Sequence, residues 1–171
     1  MTVYVVKPGL LTTLQDLGRY GYQKYGVIVG GAMDPFAHKA ANLLVGNSPG
    51  EATLEMTLIG PALKFASPAL IAVCGGDLSP EIAGRPVPLW RPVYVPAGGE
   101  LVFGAAREGC RAYLAVAGGF AVERRLGSYS TYLRAGIGGY KGRPLRAGDA
   151  LSIGAPTEFG ERIAGRLRNG M

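Results

Sequence analysis

Glycine and proline interrupt this chain at such short intervals that long regular elements have little room to form. There are 28 glycines and 12 prolines among 171 residues. Short β-branched or aromatic runs closed by Gly, Pro, Asn or Asp are the pattern of strands joined by tight turns. Strands are expected at Val3–Val6, Val27–Val29, Thr53–Ile59, Leu63–Phe65, Ala69–Cys74, Glu81–Ala83, Val93–Val95, Leu101–Phe103, Ala112–Ala117 and Leu151–Ile153. Ala69–Cys74 is apolar throughout, as a strand buried on both faces would be. Ala97–Gly104 and Ala147–Gly154 both read as a tight turn entering a strand that ends at glycine, a match too short for a sequence repeat. The expected fold is mainly β with one or two short helices, a closed or nearly closed β-barrel, with a β-sandwich as the alternative. Strands do not alternate with long helices, which argues against a doubly wound α/β fold.

One helix is well punctuated. Asp34 is a good N-cap, because its carboxylate accepts the unpaired N–H groups of the first turn. Pro35 sits at the first helical position, where its missing N–H costs nothing. Phe36, Ala40, Leu43 and Leu44 form an apolar stripe, with His38, Lys39 and Asn42 as polar positions. Gly46 is placed to end the helix in the left-handed region, and Pro49 blocks continuation. A second short helix is expected from Ser128 or Ser130 to about Arg134. Thr157–Arg168 reads as helical or loose.

The length suits one domain with a core that needs no disulfide or metal. Hydrophobic residues make up 48% and charged residues 18%, which argues against disorder. The net charge is +6, but the Lys and Arg residues form no basic run through the first part of the chain and no nucleic-acid motif. A solvated basic surface is the simpler reading. Cys74 and Cys110 form no CxxC pair. Cys74 reads as a small buried hydrophobe rather than a reactive thiol. His38 is the only histidine, so a multi-His metal site within the chain is excluded, and no metal is expected. Val3–Val6 is too short for a signal core, and no apolar run reaches membrane-spanning length, so the expectation is a soluble cytoplasmic protein.

Two polar, glycine-bearing segments between Gly9 and Asn47 are candidate sites: Thr12–Arg19 as a first loop and Gly30–Asp34 as a second. Asp16 and Arg19 either pair with each other or face a ligand, Arg offering planar donors for an anion. Gly30 and Gly31 allow close approach of the backbone to a ligand, and the helix start behind them favours an anion. Asp34 either caps that helix or joins the site. Glu55 lies in a strand pattern, so its carboxylate faces inward, where it needs a partner, or outward into solvent. Asp77 sits at a barrel rim, and Arg91 is anchored by Trp90. Gly127–Gly139 gathers Ser128, Ser130, Thr131, Tyr132 and Arg134, hydroxyls and a cation that bind an anion or cap a turn. No G-x-S-x-G elbow is present, which argues against a serine nucleophile.

These motifs resemble a known family. GLLTTLQDLGRYGYQ, VGGAMDPFAHKAANLLVGN, LEMTLIGPALKF, PVPLWRP and LGSYSTYLRAGIGGYKGRPLRAGDAL are similar to the biotin-dependent carboxyltransferase family. It includes the C-type subunit of 5-oxoprolinase, also called allophanate hydrolase subunit 2, and the carboxyltransferase domain of urea carboxylase. The resemblance runs from about Val3 to Ile153 and implies a cyclophilin-like β-barrel over residues 1–154, with 155–171 as a basic tail or connection. Family members have two related halves, and only the N-terminal half is matched.

The resemblance implies an ATP-dependent, multisubunit hydrolase that opens 5-oxoproline to glutamate together with A- and B-type subunits. Asp16, Arg19 and Asp34 would be catalytic, and Gln15, Gly30, Gly31, Met33, Ser130, Thr131 and Arg134 would bind substrate, Arg19 suiting the substrate carboxylate. ATP would be used by the assembled complex, since this chain has no P-loop or Rossmann fingerprint. The alternatives are carboxyl transfer from carboxybiotin to urea or a related amide, and a non-catalytic regulatory module that binds a kinase-inhibitor-like partner. Neither nucleic acid nor membrane is an expected partner. An apolar face left without the second half would favour homo-oligomers.

Overall fold

The computed structural model describes residues 1–169. Eleven strands and two α-helices are described: β1 Thr2–Lys7, β2 Leu11–Gln15, α1 Pro35–Leu44, β3 Thr53–Thr57, β4 Ala62–Phe65, β5 Ala69–Asp77, β6 Glu81–Ile82, β7 Arg85–Pro86, β8 Pro92–Val95, β9 Glu100–Val102, β10 Glu108–Val116, β11 Ala150–Ser152 and α2 Glu158–Asn169. One sheet has the order β11-β1-β4-β9-β6-β7 and the other β2-β3-β10-β5-β8, with antiparallel pairing throughout. The mainly β class is as expected. The barrel is not closed: among the described residues, no ladder joins the two sheets. Pro86 on β7 and Pro92 on β8 sit on edge strands, where a missing N–H weakens any further pairing.

The layers follow from strand alternation. Leu14, Leu54, Met56, Leu63, Phe65 and Leu114 meet between the sheets with almost no exposure. The opposite face of β5 and β10 presents Leu70, Ala72, Cys74, Tyr113 and Ala115 to Ala37, Ala41 and Val45 at α1. These two strands are therefore buried on both sides, which is why they read as continuous apolar runs. From α2, Ile163, Ala164 and Leu167 pack on the same second cluster. The Thr157 hydroxyl accepts the Gly160 N–H at 3.2 Å and donates to the Gly46 carbonyl at 3.0 Å, so the tail is a docked helix. No helix among the described residues is long and apolar enough to cross a membrane.

Several sequence expectations need correction. Thr12–Gln15, expected as the start of a loop, belongs to the strand Leu11–Gln15, in full register with β3. Its Thr13 and Gln15 are buried beneath other chain segments, so polarity hid the strand signal. Val27–Val29, expected as a strand, is a connection laid against the turn after β2, with the Arg19 N–H donating to the Val29 carbonyl at 2.7 Å. Backbone touches backbone there: a Cβ on Gly31 would lie 2.8 Å from the Gly18 nitrogen. The apolar stripe of α1 is rotated from the expected one. Phe36 and Leu43 are 74% and 56% exposed, whereas Ala37, His38, Ala41 and Asn42 are buried. Small residues let the helix approach the sheet, and both polar side chains find a partner there. His38 Nδ1 lies 2.8 Å from the Thr53 hydroxyl, and the Asn42 amide donates to the Glu51 carbonyl at 2.8 Å. The helix expected near Ser128–Arg134 is only a 3-10 turn at Leu133–Ala135, ended by left-handed Gly136.

Candidate functional site

The C-terminal end of β2 and the segment 125–131 are tied together through one buried carboxylate. Asp16 Oδ1 accepts the Gly18 N–H at 2.8 Å, the Ser128 hydroxyl at 2.7 Å and the Ser130 hydroxyl at 2.6 Å. Its Oδ2 accepts the Tyr129 N–H at 2.7 Å, and its own N–H donates to Ser130 Oγ at 2.9 Å. Arg19 lies beside it with 1% exposure, donating from Nε to the Arg125 carbonyl at 2.9 Å and from Nη2 to the Ser130 carbonyl at 2.8 Å. Of the two readings left open for Asp16 and Arg19, the mutual ion pair is not formed: each group grips the same distant segment. The Thr131 hydroxyl donates to the Leu14 carbonyl at 2.9 Å, completing the tie.

A second polar group lies on the helix-facing side of β2, β3 and β10. Strand register places Thr13, Glu55 and Tyr113 side by side. Glu55 Oε2 accepts the Tyr113 hydroxyl and the Met33 N–H, both at 2.8 Å. Tyr113 Oη in turn accepts the Asp34 N–H at 2.8 Å. Burial raises the Tyr113 pKa well above its ordinary value, so the phenol stays protonated and donates to Glu55. Glu55 Oε1 is bound by no donor at hydrogen-bond distance, with Arg111 Nε 3.7 Å away and the Glu55 side chain 13% exposed. The two readings left open for Glu55 are thus resolved: it points at the Gly30–Asp34 loop. Asp34 caps α1 as expected, its Oδ1 accepting the Phe36 and Ala37 N–H groups at 3.0 Å each.

His38 and Gln15 extend this face. The Gln15 amide donates to the Thr13 hydroxyl at 3.0 Å. His38 is completely buried, and burial lowers its pKa, opposed by the nearby Asp16 charge, so the ring is neutral at pH 7. Four buried side-chain atoms lack a hydrogen-bond partner among the described residues: Gln15 Oε1, Arg19 Nη1, His38 Nε2 and Arg111 Nε. Unpaired buried polar groups are costly and mark places where another molecule or water completes the structure. All four belong to β2 and its turn, α1 or β10, around the two groups described above.

The expected residues therefore divide. Asp16, Arg19, Ser130 and Thr131 are buried in the tie between segments, whereas Gln15, Gly30, Gly31, Met33 and Asp34 border the Glu55–Tyr113 face or its loop. Arg134 is exposed on the 3-10 turn, apart from both hydrogen-bonded groups. Tyr113 and Arg111 were not singled out from sequence. Their only signal was a polar alternation at the start of an apolar strand. Cys74 is buried, and desolvation pushes its thiol up to about 12, as suits a packing residue. No group of three or more metal-ligating side chains is assembled among the described residues.

Comparison with known proteins places this architecture. Residues 25–168 match the family described as carboxyltransferase domain, subdomain A and B. Urea amidolyase of Saccharomyces cerevisiae is 40% identical over 157 residues, covering 91% of this chain and 9% of that protein. The C-type subunit of Escherichia coli 5-oxoprolinase is 40% identical over 152 residues, covering 88% of this chain and 48% of that protein. The crystal structure of the K. lactis urea amidolyase matches with a TM-score of 0.87 at 38% identity, over 91% of this chain and 10% of that one. The chain thus spans about half the length of the 5-oxoprolinase relative and about a tenth of urea amidolyase. By sequence and by fold, the chain belongs to the family of carboxyltransferase domains, subdomains A and B.

Proposed function

We propose that this chain works as part of an ATP-dependent 5-oxoprolinase in the cytoplasm, opening the lactam of 5-oxoproline to glutamate with A- and B-type partner subunits. The reading is supported by the likeness to the C-type subunit of 5-oxoprolinase over 88% of the chain. The observation that carries the chemistry is Glu55, a carboxylate with one oxygen anchored by Tyr113 and Met33 and the other left without a donor at hydrogen-bond distance.

Lactam opening adds an oxygen nucleophile to the carbonyl carbon, breaks the C–N bond and leaves a primary amine. Glu55 Oε1 takes a proton from the nucleophile and returns it to the departing nitrogen, a role suited to a fixed, partly buried carboxylate. The Tyr113 hydroxyl and the Met33 N–H hold that carboxylate, and the Asp34 N–H holds Tyr113. Gln15, Gly30, Gly31, Met33 and Arg134 contact the substrate. Asp16, Arg19, Ser130 and Thr131 position the segments around it. The chain has no phosphate-cradling P-loop, so ATP is assigned to a partner subunit.

A second reading, carboxyl transfer from carboxybiotin to urea or a related amide, is favoured by the equal 40% identity to urea amidolyase. Biotin would then arrive on another domain, since this chain has no attachment motif. The test combines the chain with its A- and B-type subunits, ATP and 5-oxoproline, omitting one component at a time, with a parallel arm containing urea and a carboxylated biotin carrier. Glutamate formed only with all components supports the first reading. Urea carboxylation without glutamate transfers support to the second, and silence in both arms rejects both.

A further inference from the structure

The Gly136–Gly142 loop borders an open cleft of about 510 Å³, apart from Glu55, whose charged lining is Arg125, Lys141 and the carboxylate of Glu123. Three features of this cleft converge on one ligand chemistry. First, Arg19 stands directly behind it. The Arg19 guanidinium donates to the carbonyl of Arg125, a lining residue, and a Cβ on Gly138, another lining residue, would lie 2.8 Å from Arg19 Nη2. This side chain is 99% buried, with 1% exposure, yet its Nη1 has no partner, and no carboxylate lies within 4.0 Å of it among the described residues. Asp16 and Arg19 meet at Ser130, Asp16 accepting from its hydroxyl and Arg19 donating to its carbonyl.

Second, the loop backbone is strongly left-handed and leaves several N–H groups without a protein acceptor among the described residues. Gly138, Gly139, Lys141 and Gly142 all have positive φ, from 52° to 71°. A step from a negative-φ residue to a left-handed one, as at Tyr140–Lys141, is where successive N–H groups can converge on an anion. The N–H groups of Gly138, Tyr140 and Lys141 donate to no protein acceptor among the described residues. Third, Lys141 is exposed and pairs with no carboxylate among the described residues, lying only over the Tyr140 ring at 5.1 Å. Arg125 is occupied by Glu123 at 2.7 Å, so the rim keeps one uncommitted cation among the described residues.

We infer that this cleft is a binding site for a compact oxyanion, a carboxylate or phosphoryl group, held by Lys141 and the loop amides over the buried charge of Arg19. The site stands whether or not the 5-oxoprolinase reading holds. Its test is an amide-resolved NMR titration of the full chain with acetate, inorganic phosphate and, as the neutral isostere of acetate, acetamide. Saturable shifts of Gly138–Gly142 with acetate or phosphate, but not acetamide, support the site, and the tighter of the two anions identifies the oxyanion. Lys141→Gln should weaken binding about tenfold or more, as expected for loss of a charge-assisted contact. Lys64→Gln, which removes an exposed cation on β4 outside the cleft lining, should leave binding unchanged. No shift with either anion, equal shifts with acetamide, or equal losses in both variants would overturn the inference.

Discussion

Replacing Asp16 with asparagine separates a structural from a catalytic role for this carboxylate. Asparagine keeps the size of the side chain but has one acceptor oxygen. Placed at Oδ1, that oxygen keeps its bonds with Gly18, Ser128 and Ser130, and the new NH2 group faces the Tyr129 N–H. One charge-assisted bond is lost and a part-buried N–H is left without its acceptor, together costing about 3 kcal/mol. The flipped amide confronts three donors, of which the two hydroxyls can rotate and the Gly18 N–H cannot. For a chain of this size, about 3 kcal/mol corresponds to a fall in Tm of roughly 6–12 °C. Thermal unfolding followed by circular dichroism, with urea denaturation as a check that unfolding stays cooperative, measures it. An Asp16→Asn protein that melts within a degree of the parent would refute this reasoning. If the same variant had lost turnover in the assembled complex, Asp16 would return to the reacting groups.

Other outcomes follow from burial and pairing. In the folded protein, Ellman's reagent should titrate the exposed Cys110 and not Cys74, with both reacting after denaturation. Fast reaction of two thiols in the native state would contradict the packing of β5. His38 has a depressed pKa in the folded state. Below the ordinary value near 6.5, the unfolded chain takes up a proton that the buried ring resists, so stability falls as the pH drops from 7 towards 5. His38→Gln should flatten that part of the stability–pH curve, and an unchanged slope would assign the dependence to other groups. Asp149 accepts two bonds from Arg143 and one from the Arg146 N–H, and the Arg143 contacts hold its pKa below the ordinary carboxylate range. Its stabilisation is present at neutral pH and lost as the pH falls through that depressed value. Asp149→Asn should therefore cost about 2 kcal/mol at pH 7, and its gap from the parent should narrow below about pH 4. A gap independent of pH would remove the charge from the explanation.

Most strands were legible because glycine and proline mark their ends, and the start of α1 because Asp34-Pro35 is a strong local signal. What failed were features fixed by tertiary contact. Thr13 and Gln15 read as loop residues, because no sequence pattern tells that a polar strand face will be covered by the chain returning over it. The rotation of α1 was hidden because Phe36 and Leu43 are the larger apolar residues, whereas the sheet accepts only the smaller Ala37 and Ala41 at close range. Asp16 and Arg19 stand out in the sequence as charged residues flanking Gly18. Their common partner lies more than a hundred residues away, so a sequence read locally offers only each other or a ligand. Glu55 showed the limit most directly. Alternation gave it two faces to choose from, and only the register with Tyr113 and the arrival of the Met33 N–H decide which one it takes.

The central claim is that Glu55 performs proton transfer during lactam opening. Glu55→Gln retains an oxygen for the Tyr113 and Met33 bonds while removing the base. Turnover of 5-oxoproline by the complex assembled with this variant is the direct test, with the Tm of the isolated chain measured alongside. The account predicts a kcat at least about 100-fold lower and a Tm close to the parent. Parental kcat from a stably folded Glu55→Gln chain would contradict it.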